Sequence, residues 1–226
     1  MAGLDRQVQF GLSCCVAGDQ KPEPASLTAR GAATRARIVD VAADLIYEHG
    51  VERTSLDDVM AAGGVSKSQL YHYFADKDAL VLEVIALQTE RVLQSQKPHL
   101  GALDSLRALK SWRNAIVRLS RATDGKGCPL GSLANELAND SEPARKRLTA
   151  GFELWRDGIE QGLAKMHLRG ELTSEADPHE LALAVLSAIQ GGLLLAKTMR
   201  SSRPLEIAMD MAIEHVASHM AAHKSR

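Results

Sequence analysis

The chain has 226 residues, of which 45% are hydrophobic and 24% are charged, and its formal net charge is −1. This length and apolar content predict an ordinary soluble globular protein with a core in one or two domains. The nearly balanced charge excludes a whole-chain electrostatic signal for nucleic acid, so any basic surface must be local.

Cysteine usage and hydropathy predict a cytoplasmic protein. The chain has three cysteines, and two of them, Cys14 and Cys15, are adjacent, which does not suit the disulfide framework of a secreted domain. The segment VQFGLSCCVAG near the N-terminus is too short and too interrupted to be a secretory signal. Elsewhere no apolar run reaches the roughly 18 residues that a membrane span needs. We therefore expect no membrane contact.

The first segments in chain order are a tail and an amphipathic helix. Residues 1–30 include GDQKPEPASLTARG, which mixes Pro, Gly, Ser and charged residues without apolar periodicity and is expected to be a flexible tail. From Thr34 the pattern changes to the apolar stripe of an amphipathic helix that ends near Gly50. That stripe consists of Ile38, Val41, Ala42, Leu45 and Ile46.

Three short helical segments follow, and each has a capping signal. Thr54 or Ser55 can cap a second helix that stops at the glycine pair 63–64. Ser66 can cap a third helix, and Asp76 can cap a fourth. Two short helices joined by a tight glycine turn predict a helix-turn-helix motif.

The third helix has two contrasting faces. At about 100° per residue, Leu70 and Phe74 share the inner face, and Tyr73 falls on the same side, so these residues are expected in the core. The other positions carry side chains that can hydrogen-bond to base edges and phosphates in a major groove. They are Lys67, Ser68, Gln69, Tyr71 and His72.

The stretch TSLDDVMAAGGVSKSQLYHYFADKDAL resembles the DNA-binding domain of TetR-type transcriptional regulators, and the resemblance extends from about Thr34 to Leu87. It implies phosphate contacts from Thr54, Tyr71, His72 and Lys77. It also implies that bases are read from the N-terminal end of the third helix, as in other helix-turn-helix proteins. The implied base-reading residues are Ser66, Lys67, Ser68 and Gln69, of which Ser68 departs from the glycine common in the family.

Some of these residues have simpler alternatives. Thr54 can serve only as an N-cap, and Lys77 alone would be an ordinary surface lysine. The arginines that precede or open the first helix could reach a phosphate or the minor groove, or they could form a solvated basic linker. They are Arg30, Arg35 and Arg37.

Beyond Leu87 the chain continues as helices without strand alternation or hairpin dipeptides, so the predicted fold class is all-α. The candidate helices cover residues 103–123, 130–139, 142–166, 178–199 and 205–223. The expected organisation is a tail at 1–30, a three-helix helix-turn-helix DNA-binding domain at 31–87, and a larger helical domain at 88–226. The resemblance implies that this last domain binds a ligand and forms dimers.

The last two long helices are the predicted homodimer interface. The segment ELALAVLSAIQGGLLLAKTM is apolar on more than one face, and Gly191 and Gly192 allow close helix approach. Paired across a two-fold axis, two such helices would form a four-helix bundle. The alternative is that the apolar excess is intramolecular core.

A pocket for an unknown small molecule is expected in the same domain. Because Trp112, Phe152 and Trp155 all fall there, the predicted effector is apolar or aromatic. The candidate lining residues are large apolar side chains with one polar anchor, and each could instead be plain core. They are Trp112, Leu119, Leu133, Leu137, Phe152, Trp155, Ile159, Gln190 and Leu194.

Two further patterns carry chemistry that the regulator does not require. Cys128 precedes a predicted helix N-terminus near Lys126, a setting that can lower a thiol pKa and make it a sensor of electrophiles or oxidants. The alternative is a small buried residue. His215, His219 and His223 share one helix face, but no Cys or carboxylate completes a site, so no metal is predicted.

The predicted function is that of a ligand-responsive repressor that binds a palindromic operator as a dimer. The sequence has no nucleophile elbow, P-loop, dinucleotide fingerprint or zinc-protease motif, so neither an enzyme nor a cofactor is expected. The alternative is a helical protein-binding adaptor without sequence-specific DNA binding.

Overall fold

The computed structural model describes residues 28–222, and within that range the chain forms ten α-helices and no extended strand, which confirms the all-α prediction. Leu172 and Met220 form an isolated antiparallel bridge. The helices are α1 Ala29–His49, α2 Leu56–Gly63, α3 Lys67–Tyr73, α4 Lys77–Ser95, α5 Lys97–Leu100, α6 Leu106–Ala122, α7 Pro129–Leu137, α8 Glu142–Leu168, α9 Pro178–Met199 and α10 Arg203–Ser218.

Helix α1 begins earlier than the apolar stripe indicated. Thr28 caps it by accepting a hydrogen bond from the backbone N–H of Gly31, so the helix already includes Arg30. The stripe alone placed the start at Thr34, because the first two turns carry small and charged residues that face solvent. The expected flexible tail at 1–30 otherwise lies outside the described residues.

Side-chain caps set the boundaries of the next helices. Ser55 caps α2, where its hydroxyl accepts from the backbone N–H of Asp58, and Asp76 caps α4 by accepting from Ala79. Gly64 ends α2 in the left-handed region at φ +59°, a conformation that a side chain would disfavour. These caps fix the sharp turns that hold α2 and α3 against α1.

The core of this N-terminal head is apolar and fully enclosed. Ile38 and Ala42 of α1 are buried together with Val59, Leu70 and Phe74. Helix α1 contacts α2, α3 and α4, so it is the helix against which α3 is packed. We will call residues 28–76 the head and residues 97–222 the body.

Helix α4 joins the head to the body. It runs without interruption to Ser95 and packs against α1 on one side and against α7 and α8 on the other. The domain boundary placed at Leu87 therefore falls inside a continuous helix, which both domains share. Its buried residues include Val84 and Ile85 near the head and Val92 near the body.

The body is a helical bundle whose longest members are α8 and α9. Helix α9 packs against α8 and against α10. A Cβ atom on Gly192 would lie 2.8 Å from Leu205 Cα, so this glycine allows α9 and α10 to approach within one chain. The final helix ends at Ser218 rather than at residue 223, and the short α5 was not expected.

Helix α9 is also the one described helix that is long and apolar enough to cross a membrane by length and composition, with a mean hydropathy of 1.6. Its buried side chains, among them Leu181, Val185 and Ile189, pack in the body core. This packing accounts for much of its apolar character.

Candidate nucleic-acid interface and ligand cavity

Helix α3 presents a polar face to solvent, as its periodicity predicted. Leu70 and Phe74 are buried beneath it, and Tyr73 is partly buried. The outward residues are all exposed, with Tyr71 at 47%. Lys67 Nζ lies 5.9 Å from the centre of the Tyr71 ring, close enough for a weak cation–π interaction. The outward set is Lys67, Ser68, Gln69, Tyr71 and His72.

Ser66 and Gln69 form a capping box that limits how each could contact a base. The backbone N–H of Gln69 donates to Ser66 Oγ at 3.2 Å, and the backbone N–H of Ser66 donates to Gln69 Oε1 at 2.9 Å. The amide oxygen of Gln69 already accepts one hydrogen bond from the cap, whereas its NH₂ group donates to no other group among the described residues. In this conformation the NH₂ group is therefore the freer part of the side chain and can donate to base acceptors.

The structure corrects the interpretation of Thr54. This residue is only 3% exposed, and its hydroxyl donates to the carbonyl oxygen of Gly50 at 2.8 Å. It is neither the N-cap of α2, which is Ser55, nor positioned to offer its hydroxyl to a phosphate. Thr54 instead fixes the turn between α1 and α2.

The other cationic side chains that could contact phosphates differ in exposure and in ion pairing. Arg35 forms an ion pair with Glu83 at 2.8 Å, and its guanidinium lies 5.3 Å from the centre of the Phe74 ring, so it connects α1 to α4 and contacts the head core. Arg30 and Arg37 are exposed on the first turns of α1. Lys77 is partly exposed in the first turn of α4. Arg30, Arg37 and Lys77 remain candidates for phosphate contacts.

A cavity of about 200 Å³ lies where α1 and α4 meet the body helices α6, α8 and α9. Two of the predicted pocket residues, Leu119 and Trp155, line it. Several lining residues were not predicted, because the domain boundary at Leu87 confined the expected pocket to the C-terminal domain and left out α1 and most of α4. The main ones are Tyr47, Gln88, Arg91, Val92 and Gln96.

The remaining predicted pocket residues lie elsewhere. Phe152, Gln190 and Leu194 line a separate groove of about 270 Å³ that shares Gly127 and Cys128 with the cavity. Leu133 borders a narrow gap of about 10 Å³. Three of the predicted side chains line neither the cavity nor the groove and instead pack in or against the core: Trp112, Leu137 and Ile159.

Cys128 is not the activated thiol that its sequence context indicated. It is buried as the N-cap of α7, and burial raises its pKa above the ordinary value. Hydrogen bonds from Gly131, Gln190 and Leu130 act in the opposite direction but are weaker than desolvation. A neutral, buried thiol is a poor nucleophile.

We expect Cys128 to react slowly with an alkylating reagent. In a Cys14→Ser/Cys15→Ser chain, iodoacetamide at pH 8 should modify Cys128 at least about tenfold more slowly than it modifies free cysteine, because burial disfavours the thiolate. Mass spectrometry of timed samples measures this rate, and the urea-unfolded chain is the control. A rate equal to that of free cysteine in the folded protein would contradict this assignment.

The histidine pattern on the last helix gives no metal site within residues 28–222, where no group of three or more suitable ligands occurs. The rings of His215 and His219 are 4.8 Å apart, and His219 Nδ1 lies 2.9 Å from the carbonyl oxygen of His215. His223 lies outside the described residues.

Two hydrogen bonds connect α1 and the turn after it to the body. The phenol of Tyr47 donates to the carbonyl oxygen of Gly127 at 2.9 Å, and the backbone N–H of Val51 donates to Glu136 Oε2 at 2.6 Å. Tyr47 and Gly127 also line the cavity. The cavity wall and the junction between head and body therefore share residues.

Comparisons with known proteins agree with this arrangement. Residues 38–84 match the family model described as bacterial regulatory proteins, tetR family, and residues 105–211 match the C-terminal domain of LmrA/YxaF-like transcriptional regulators.

Two relatives align over most of their length. An uncharacterised helix-turn-helix transcriptional regulator of Mycobacterium tuberculosis is 29% identical over 181 residues, covering 76% of this chain and 89% of the relative. The transcriptional repressor DhaR of Mycobacterium sp. strain GP1 is 25% identical over 183 residues, covering 80% and 90%.

A solved structure also matches. A TetR transcriptional regulator from Chloroflexus aurantiacus superimposes with a TM-score of 0.72 at 26% identity, over 85% of this chain and 98% of that one.

Proposed function

The chain belongs to the TetR family of DNA-binding transcriptional regulators, and on that premise we propose that it is a cytoplasmic, homodimeric repressor released from a palindromic operator by a small molecule. The observation that carries the proposal is the division of α3 into a buried apolar side and an exposed side of hydrogen-bonding residues. A helix whose outer face served only solubility would not need Lys67, Gln69 and Tyr71 together beside a capped N-terminus.

Dimerisation through α9 and α10 is supported by their exposed apolar side chains. Monomeric surfaces rarely expose so many large apolar groups on neighbouring helices, and burying them against a second copy would remove them from water. Those on these two helices are between 44% and 63% exposed. They are Leu183, Leu194, Leu195, Met199, Ile207 and Met211.

Two copies would bring two α3 helices to one duplex. Helix-turn-helix dimers bind half-sites about one DNA turn apart, so the two-fold symmetry of the protein is matched by a near-palindrome. We assign Tyr71, His72 and Lys77 to the phosphates, and Lys67, Ser68 and Gln69 to the bases. Ser66 acts mainly by capping α3 and orienting Gln69.

The cavity is the proposed effector site, because its wall includes the contact between the head and the body. A molecule that enters it meets Tyr47, whose phenol bonds to Gly127 of the body. Moving either residue would change how α1 is held against the segment that precedes α7, and with it the spacing of the two heads. A ligand that favours the altered spacing must weaken DNA binding by the same factor by which DNA weakens ligand binding.

A reporter experiment tests repression. A duplex that the purified protein selects from random DNA is placed between a promoter and a reporter gene, and the regulator is expressed from a separate plasmid. We expect the wild type to lower reporter output and the Tyr71→Ala variant to restore it. An increase in output with the wild type would make the protein an activator, and unchanged output despite abundant protein would favour the adaptor.

A further inference from the structure

Two buried side chains in the wall of the cavity have hydrogen-bonding atoms that the protein does not use. Gln88 of α4 is 4% exposed and Ser120 of α6 is 6% exposed, and both line the cavity. The amide nitrogen of Gln88 donates to the carbonyl oxygen of Ala43 at 3.3 Å. Its amide oxygen accepts from no group within residues 28–222, and the Ser120 hydroxyl has no partner there either. Buried polar groups are normally paired, so both atoms need an explanation.

A small molecule can reach both atoms. In the described part of the chain, and among residues that are not exposed, Trp155 Nε1 is the single side-chain nitrogen or oxygen atom that is unpaired and also closed to water. Gln88 Oε1 and Ser120 Oγ are unpaired without being closed. Besides the cavity, Gln88 borders the narrow gap of about 10 Å³, which holds at most one water molecule. A ligand therefore reaches Gln88 from the cavity.

Other polar side chains of the wall are already engaged within the protein. The amide oxygen of Gln96 accepts from Trp112 Nε1 at 3.1 Å. Four hydroxyl or amide groups each donate to a backbone carbonyl oxygen. They belong to Tyr47, Ser95, Gln96 and Thr123. Gln88 and Ser120 are therefore the side chains best able to bind a polar group of a ligand.

The two free atoms define the polar part of that ligand. An amide oxygen only accepts hydrogen bonds, so Gln88 Oε1 requires a donor, whereas the Ser120 hydroxyl can donate or accept. A purely apolar ligand would displace water from both atoms and leave them unpaired, which weakens binding. A carbonyl compound could accept from Ser120 but could not satisfy Gln88. A hydroxyl group suits both, because it donates and accepts through one oxygen atom.

The walls of the cavity are close to electrically neutral. The guanidinium of Arg91 is paired with both Asp40 and Asp44, each at 2.9 Å. Burial raises the pKa of Tyr47 to about 12 and also raises the pKa of Cys128, so both groups are uncharged at neutral pH. An ion entering this space would lose hydration without gaining a counter-charge.

The size of the cavity limits the ligand further. An engineered protein cavity of about 150 Å³ holds benzene. A volume of about 200 Å³ therefore suits a single ring with a short substituent or an aliphatic molecule of the same size. Apolar side chains such as Val92, Ile116, Leu119 and Leu193 form much of the surrounding surface.

We propose that the cavity binds an uncharged, mainly apolar alcohol or phenol about the size of one substituted ring, whose hydroxyl donates to Gln88 Oε1 and accepts from the Ser120 hydroxyl. The two anchors come from α4, which joins the head to the body, and from α6 of the body. This inference rests on the proposed function for its effect on DNA, but binding itself is measurable without DNA.

The test compares four probes of similar size: α-methylbenzyl alcohol, acetophenone, ethylbenzene and benzoate. The first three share one carbon skeleton and differ only in the polar group. Their affinities for the full chain are measured at pH 7 by calorimetry, for the wild type, Gln88→Met and Ser120→Ala. Ser111→Ala is the matched control, because Ser111 is exposed on the same helix α6 and does not line the cavity. Circular dichroism during heating verifies that each variant is folded.

We expect the alcohol to bind at least about tenfold more tightly than ethylbenzene or benzoate, a difference of about 1.4 kcal/mol. Acetophenone should lie between the alcohol and ethylbenzene, because it can accept from Ser120 alone. Gln88→Met should reduce the affinity for the alcohol to about that for acetophenone. Ser120→Ala should weaken binding of the alcohol and of acetophenone but leave that of ethylbenzene unchanged, and Ser111→Ala should change none of these affinities.

Equal affinity for the alcohol and ethylbenzene, binding of acetophenone or benzoate as tight as that of the alcohol, or no binding at millimolar concentration would each overturn the inference. An affinity for the alcohol that ignores Gln88→Met or Ser120→Ala would do the same. If Gln88→Met does not fold, the order of the probes on the wild type and the Ser120→Ala variant decide.

Failure of the proposed function has a different signature, which is the absence of any selected DNA sequence. A protein that selects an operator but does not prefer the alcohol refutes the ligand class alone.

Discussion

Replacing Leu195 and Ile207 together with glutamate is expected to produce a folded monomer that binds operator DNA at least about a hundredfold more weakly than the wild type. Both residues are about half exposed on the neighbouring helices α9 and α10. In the proposed dimer each glutamate would lose its hydration against an apolar surface. This loss costs on the order of several kcal/mol for each buried ion. A single head then binds one half-site without the gain from its tethered partner.

The matched control is Leu168→Glu. Leu168 is 88% exposed at the end of α8 and is not on either helix of the proposed interface, so the same change of chemistry should leave the dimer and its DNA affinity intact. Light scattering during gel filtration measures the mass, and fluorescence anisotropy with a labelled duplex measures affinity. A double variant that remains dimeric would remove these helices from the interface.

The second large effect is expected on α3. Tyr71→Ala should weaken binding to all duplexes by about tenfold, because a phosphate contact carries no sequence information. Lys77→Ala should do the same and reduce the salt dependence of binding. Gln69→Ala and Lys67→Ala should instead change which base pairs are preferred, by about 1–3 kcal/mol at the affected position.

Gln69 needs a control that separates base contact from helix capping, since its amide oxygen accepts from Ser66 N–H. Gln69→Glu keeps an acceptor for that cap but removes the amide donors. If Gln69 reads a base, both variants should lose the wild-type preference. If the glutamate variant keeps that preference while the alanine variant loses affinity for every duplex, Gln69 contributes only through the cap.

The structure of the head was largely predictable because caps and helical periodicity within short stretches of sequence determine it. Ser66 and Asp76 cap the helices that their sequence positions indicated, and Leu70 and Phe74 are buried as the helical period required. Thr54 and Ser55 are adjacent candidates for one cap. Only the folded turn decides between them, because burying Thr54 beneath Gly50 requires the contact of α1 with α2.

The cavity was predicted less well because it is formed by helices distant in sequence. Trp112 and Ile159 are large and apolar, as a pocket residue should be, but residues of this kind also fill cores, and here they do so. Two polar residues were a more useful sequence signal for the position of the cavity. Gln88 interrupts the apolar side of α4, Gln96 directly follows its last residue, and both line the cavity. Such buried amides need partners, so they mark where a helix meets another polar group.

The most direct test of the account is to select duplexes from a random DNA library with the purified full-length protein at physiological salt. A homodimeric regulator with two α3 helices should recover a near-palindrome whose half-site centres are about one turn, or 10 base pairs, apart. Recovery of no motif, with only salt-sensitive retention of all sequences or none, would contradict sequence-specific recognition by α3 and favour a protein-binding adaptor.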